Sequence, residues 1–140
     1  MGTGPDLWDQ FATLLQKMDY DGFASLFTSD AVYIEPGGRH EGREAIRAWI
    51  AGGAGALSDV HFDTGRVIED GPTLVVEWTW RSTHTGPLPL PDGSVIPATG
   101  KVIDFPGVTI ADVRDGQIVA ARDYFDQVAM LSQLGLMPGA

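Results

Sequence analysis

Asp123, within Arg122-Asp123-Tyr124-Phe125-Asp126, is the side chain whose setting points most directly to chemistry. Upstream of it, Asp112-Val113-Arg114-Asp115-Gly116 reads as a tight turn, because Asp-Gly supplies the positive φ a hairpin needs between two β-rich runs. The flanking strands are then 107–113 and 117–126, antiparallel neighbours. A period of two puts Asp123 and Phe125 on the face shared with Ala121 and Val119, and that mostly apolar face reads as buried. A carboxylate there loses hydration, which disfavours its charged form and lifts its pKa toward the range useful for proton transfer. The competing reading is structural: an ion pair of Asp123 with Arg122 or another arginine.

Other candidates are scattered. Glu35 precedes Pro36-Gly37-Gly38 at the end of a short strand, and reads either as a pocket carboxylate able to pair with Asp123 or as a solvated loop residue. Trp78 and Trp80 lie two apart on a long strand, so they share a face; they either line a pocket with flat apolar surface or pack a core. His40, in Arg39-His40-Glu41, reads as solvated in a polar turn. His61 alternates with Phe62 and faces either pocket or solvent, and His84 ends the tryptophan strand, nearest to a pocket mouth. The three histidines show no i, i+4 pairing, and no cysteine is present to help, so no zinc site is expected. Neither a Gly-x-Ser-x-Gly elbow nor a phosphate-binding loop occurs.

The elements that must position these residues follow from periodicity. Asp6 is read as the cap of a helix carrying Leu7, Trp8, Phe11, Leu14, Leu15 and Met18 at helical spacing. Phe23, Leu26 and Phe27 give a second short helical turn, ended by Thr28-Ser29-Asp30. A strand over 31–35 stops at Pro36-Gly37-Gly38, and a third helix follows with Ala45, Ile46, Trp49 and Ile50 as its apolar stripe. Strands are expected over 60–68, 74–83 and 101–112, the last with a bend or bulge at Pro106-Gly107. Residues 85–100 hold prolines 87, 89, 91 and 97, and read as a loop or bulged edge over the site. Val128, Leu131, Leu134 and Leu136 close the chain as a short helix and tail. Helices first and strands after read as α+β, with helices on one face of an antiparallel sheet.

Bulk properties narrow the function. At 140 residues the chain is expected to be one domain, 1–140, burying about two-thirds of its unfolded surface. Nineteen acids against nine bases give a formal charge of -10, which repels nucleic-acid backbones and anionic lipid, so neither is an expected partner. No apolar run reaches the roughly eighteen residues of a membrane span, and the N-terminus lacks the basic and apolar regions of a secretory signal. With no cysteine, disulfides and thiolate catalysis are excluded, which fits a cytoplasmic protein.

The run 122–126, followed after six residues by Gln133-Leu134-Gly135, resembles the C-terminal signature of the SnoaL-like polyketide cyclases. The element Arg81-Ser82-Thr83-His84-Thr85-Gly86 and the turn Asp115-Gly116-Gln117-Ile118 resemble the same family. The resemblance implies a cone-shaped α+β barrel, a strongly curved antiparallel or mixed sheet wrapped around N-terminal helices, as in nuclear transport factor 2 and ketosteroid isomerase. It also implies a deep apolar pocket and a homodimer through the outer sheet face. In that family the aspartate matching Asp123 shuttles protons in an intramolecular aldol ring closure without metal or organic cofactor. The family's histidine facing it matches Thr109, which cannot titrate, a departure that bears on the aldol mechanism. The resemblance assigns acid/base work to Asp123, with Glu35 and His84 as further catalytic candidates. Tyr33, Trp78, Trp80, Thr109, Phe125, His61, Phe11 and Trp49 are the candidate substrate contacts, for a small apolar or aromatic carbonyl compound. Residues 122–126 are also similar to limonene epoxide hydrolase, but the arginine and aspartate of that enzyme's triad match Trp78 and Trp80. Ketosteroid isomerase's oxyanion donors match Phe11 and Val108. Two rival functions stand beside the cyclase: an epoxide hydrolase, isomerase or dehydratase using Asp123 with another partner, and a non-catalytic binder of small molecules.

Overall fold

The computed structural model describes residues 3–90 and 92–136; Pro91, one of the four prolines read as loop-forming, lies outside the described residues, as do the ends of the 1–140 span. Helix α1 (Gly4–Gln16) starts at Thr3, whose side chain accepts from the Asp6 backbone while the Asp6 carboxylate accepts from the Thr3 N–H. Asp6 is therefore the third residue of a capping box and Thr3 the cap, because the two groups satisfy each other's orphan donors. The apolar stripe buries Leu7, Trp8, Phe11 and Ala12, and Trp8 Nε1 donates to Thr64 at 2.9 Å, fixing the helix across the sheet.

Helix α2 (Tyr20–Ser25) ends before Phe27, which begins strand β1 (Phe27–Glu35) instead of closing the helical turn. Pro36-Gly37 does not stop the sheet. It is the turn of a hairpin into β2 (Gly38–Glu41), so His40 lies in a strand and pairs with Tyr33. Helix α3 (Arg43–Ala54) runs through Gly52 and Gly53, and β3 (Leu57–Asp70) and β4 (Thr73–His84) form a long antiparallel pair. The proline segment folds as a small ribbon of β5 (Leu88–Pro89) and β6 (Val95–Ile96). Strands β7 (Val102–Arg114) and β8 (Gln117–Phe125) are joined by Asp115-Gly116 with φ of 53° and 76°, the left-handed pair of a two-residue hairpin. Helix α4 (Gln127–Gln133) ends the described chain; it buries Leu134 just beyond its end and leaves Val128 exposed.

The six long strands make one mixed sheet in the order β2-β1-β8-β7-β4-β3, with β1 and β8 parallel and every other pair antiparallel. The sheet is an open cone, with β2 and β3 as its edges, and its inner face holds the helices. Pro106 and Gly107 sit in unbroken register opposite Thr79 and Trp78, without a bulge. The irregularity lies elsewhere: Asp112 pairs with Ala120 but Val113 with Ile118, so Val119 is the extra residue and alternation resets there. Ile118 and Ala121 both face the core at 2% and 1% exposure, while Val119 does not. From Ala121 onward, 121, 123 and 125 share the inner face.

Aromatic rings form a continuous path from α1 into the cone. Phe11 contacts Phe23 at 4.8 Å, Phe23 contacts Phe27 at 5.1 Å, Phe27 meets Tyr33 at 5.9 Å and Tyr33 meets Trp49 at 4.8 Å between ring centres. Three of these rings, Phe11, Tyr33 and Trp49, also line a cavity inside the cone.

Candidate active site

A cavity of about 590 Å³ opens between the inner sheet face, α1, α3 and the β5–β6 ribbon. Asp123 is one of its few polar walls. Register explains why: Thr109 on β7 lies opposite Asp123 on β8, and Tyr33 on β1 lies beside Ala121, one inward step away. Tyr33 Oη donates to Asp123 Oδ1 at 2.8 Å and Thr109 Oγ1 donates to the same oxygen at 2.6 Å. The Thr109 hydroxyl in turn accepts from Trp78 Nε1 at 2.8 Å. A single orientation of the Thr109 proton satisfies both bonds, so the chain Trp78 to Thr109 to Asp123 is directional. Oδ2 takes part in none of the described hydrogen bonds and is the oxygen left to the cavity.

Burial pushes the Asp123 carboxyl up to about 7, and the nearby Glu35 carboxylate adds to the rise. The Thr109 and Tyr33 donors act against it by stabilising the anion. Tyr33 is itself held well above its ordinary 10, first by burial and then by the Asp123 charge, so it stays a neutral donor. Arg122 takes no part: it points to the outer face, 3.9 Å from Asp112, and the ion-pair reading of Asp123 falls away. Among the described residues no three His, Cys, Asp or Glu side chains converge on a metal position.

Trp78 depends on Gly107. A Cβ at position 107 would overlap the six-membered ring of Trp78, which covers that glycine across the strand pair. Gly107→Ala is expected to push Trp78 away from Thr109 and destabilise the fold by about 1–3 kcal/mol, as overpacking does. Denaturant melts together with near-ultraviolet circular dichroism check this; an unchanged midpoint and unchanged aromatic signal would contradict it.

The other candidates divide. Phe11, Glu35, Trp49, Trp80 and Phe125 line the same cavity as Asp123, Tyr33, Trp78 and Thr109. Glu35 is only 9% exposed at its side chain, so it is a pocket carboxylate and not a solvated loop residue. The three histidines divide as well. His61 turns outward with its side chain 56% exposed and lies 3.3 Å from Asp59, because Phe62 takes the inward position. His84 shares the inner face with Trp78 and Trp80 but is fully buried behind the cavity wall. Its Nδ1 contacts the Thr99 hydroxyl at 3.0 Å and accepts the Thr99 N–H, so it pins the proline segment and does not reach the pocket. His40, read as solvated, instead lines the cavity, stacked on Trp49 with ring centres 4.6 Å apart. Phe62, Ile103, Phe105 and Met130 add to the apolar wall. The inward parity of Phe62 beside His61 was the available signal; Met130 on α4 had none.

A model of the SnoaL-like domain matches residues 8–121 of the sequence. The chain belongs to the SnoaL-like domain family. Its fold is that of the nuclear transport factor 2 and ketosteroid isomerase group, shared by many solved structures. TsrD of Streptomyces laurentii superposes with a TM-score of 0.81 over 95% of each chain at 21% identity. IdmH of Streptomyces antibioticus, provisionally assigned as a polyketide cyclase, gives 0.78 over 96% of this chain and 99% of its own at 22% identity. An LEH-like epoxide hydrolase from M. tuberculosis gives 0.70 over 92% of this chain and 86% of its own at 23% identity. At these identities the likeness concerns the fold. No curated protein sequence matches the chain. This SnoaL-like domain has no described helix long and apolar enough to cross a membrane.

Proposed function

We propose that this SnoaL-like protein is a cofactor-independent cytoplasmic enzyme that closes a ring by intramolecular aldol reaction on an apolar polyketide-type carbonyl compound, with Asp123 as its acid/base. The observation that carries this reading is a carboxyl group with a pKa near 7, anchored through one oxygen and open through the other, in a cavity walled by aromatic and aliphatic side chains. At neutral pH both protonation states of Asp123 are well populated, which suits a group that must take a proton and later return one. Oδ2 removes a proton α to one carbonyl; the carbon so activated attacks a second carbonyl of the same folded chain; the proton held on Asp123 goes to the new alkoxide. Atoms balance and the product is an isomer of the substrate.

The cavity volume suits a bicyclic or tricyclic compound, and its walls supply flat faces for stacking. Epoxide opening through a water-binding triad is disfavoured, because both tryptophan N–H groups at the matching positions are already committed, Trp78 to Thr109 and Trp80 to Ser82 at 2.9 Å. The reading includes a homodimer through the outer sheet face, where Ile34 and Tyr124 are exposed.

The test uses 2-tetralone, a bicyclic ketone with acidic α-protons, incubated with the protein in D₂O and followed by NMR. Exchange of the α-protons should exceed the buffer rate and rise with pH through a midpoint near 7, as the carboxylate forms. Exchange no faster than buffer across pH 5–9 would overturn the proposal.

A further inference from the structure

Besides Asp123, the same cavity holds a second pair of proton-carrying side chains, Glu35 and His40. In the β1–β2 hairpin Tyr33 lies opposite His40 and Glu35 opposite Gly38, and residues 33 and 35 share a face. Tyr33, Glu35 and His40 therefore all point inward, and all three line the cavity. The imidazole lies flat on Trp49, at an interplanar angle of 14°. Its Nε2 is shut off from solvent without a hydrogen bond, and the nearest anion is Glu35 Oε1 at 3.5 Å. A buried ring nitrogen left without a hydrogen bond beside a buried carboxylate is destabilising, and such an arrangement calls for a functional reason. Nδ1 makes no hydrogen bond among the described residues either, and the His40 side chain, 21% exposed, lines the cavity.

We infer that His40 binds and protonates the substrate's carbonyl oxygen, positioned by Glu35 behind it and Trp49 beneath it, and that the substrate is a planar apolar compound with an enolisable carbonyl at this wall. For the carbon-side step this rests on the acid/base reading of Asp123. Thr109, facing Asp123, cannot deliver a proton to the substrate because its own is committed to Oδ1. With His40 the steps balance. Asp123 takes the α-proton, the C–H electron pair forms the enol double bond, and the carbonyl oxygen receives the Nδ1 proton. When the enol carbon attacks the second carbonyl, the enol proton returns to Nδ1, the first carbonyl re-forms, and Asp123 protonates the new alkoxide. Both groups end as they began.

The experiment compares the full-length wild type, His40→Gln and Glu35→Gln, titrated by NMR with naphthalene and with 2-naphthol, a planar mimic of a bound enol. The ratio of the two dissociation constants reports the oxygen contact alone. Taken as naphthalene over 2-naphthol, it is expected to fall about tenfold in His40→Gln, the effect of losing one hydrogen bond, and in the same direction but less in Glu35→Gln. In the wild type the ¹⁵N signal of His40 Nδ1 should move with 2-naphthol and not with naphthalene. If His40→Gln does not fold, Glu35→Gln and the ¹⁵N shift decide. An unchanged ratio in the folded variants, or a Nδ1 signal indifferent to the hydroxyl, would overturn the inference. Failure of the wild type to exchange 2-tetralone protons sinks the Asp123 reading separately, while the naphthol ratio still decides His40.

Discussion

Asp123→Asn is expected to slow α-proton exchange of 2-tetralone by roughly 10²–10⁴, the range that a positioned acid/base group supplies. Asparagine matches aspartate in shape, and its carbonyl can take the place of Oδ1, accepting from Tyr33 and Thr109 as before. What is lost is the lone pair on the cavity side, where an amide N–H₂ would now stand. Affinity for the ketone should change little, because the aromatic walls are untouched. Tryptophan fluorescence quenching checks binding and NMR exchange checks turnover on the same samples. Exchange at the wild-type rate in the variant would remove Asp123 from the mechanism.

The same substitution is expected to make the protein more stable at pH 8 and to leave it nearly unchanged only below about pH 4. The sign follows from proton linkage. Asp123 titrates near 7 when folded and near 3.8 as a model carboxyl, so the folded state holds more protons between those values. Stability from this group is therefore complete below about pH 4, falls as pH rises through that window, and is lost above about 7. At about 1.4 kcal/mol per pKa unit, and reduced because the side chain is partly open to the cavity, the loss at pH 8 is about 2–4 kcal/mol. Asparagine carries no such loss. The formal charge of -10 destabilises both proteins similarly as pH rises, so the difference between their denaturant midpoints is the informative quantity. Parallel pH profiles for the two proteins would contradict the account. Such a trade of stability for a poised group is common at functional sites.

Much of this was legible in the residues, unevenly. The hairpin around Asp115-Gly116 and the inward parity of Asp123 and Phe125 followed from local rules, since turn chemistry and alternation are short-range. Even there, Val119 was placed on the wrong face, because the bulge that resets alternation is set by the partner strand. The bonds that define the site are all long-range: Tyr33 reaches Asp123 across ninety residues and a parallel strand pairing, and Trp78 reaches Thr109 across thirty-one. Nothing in a single strand announces its neighbour. His40 was misread because a polar run after Pro-Gly-Gly has the composition of a solvated turn, whereas the short edge strand there buries one side only. His84 had the right parity and still misses the cavity, since the segment that covers it comes from residue 99, beyond any local pattern.

The central claim is that the Asp123 carboxyl sits in a cavity dry enough to hold its proton near neutral pH. Its most direct test is the ¹³C NMR titration of the side-chain carboxyl in protein labelled at aspartate, assigned by the signal missing in Asp123→Asn. A midpoint near 7 is predicted; a midpoint at or below about 4, the value of an ordinary exposed aspartate, would contradict it.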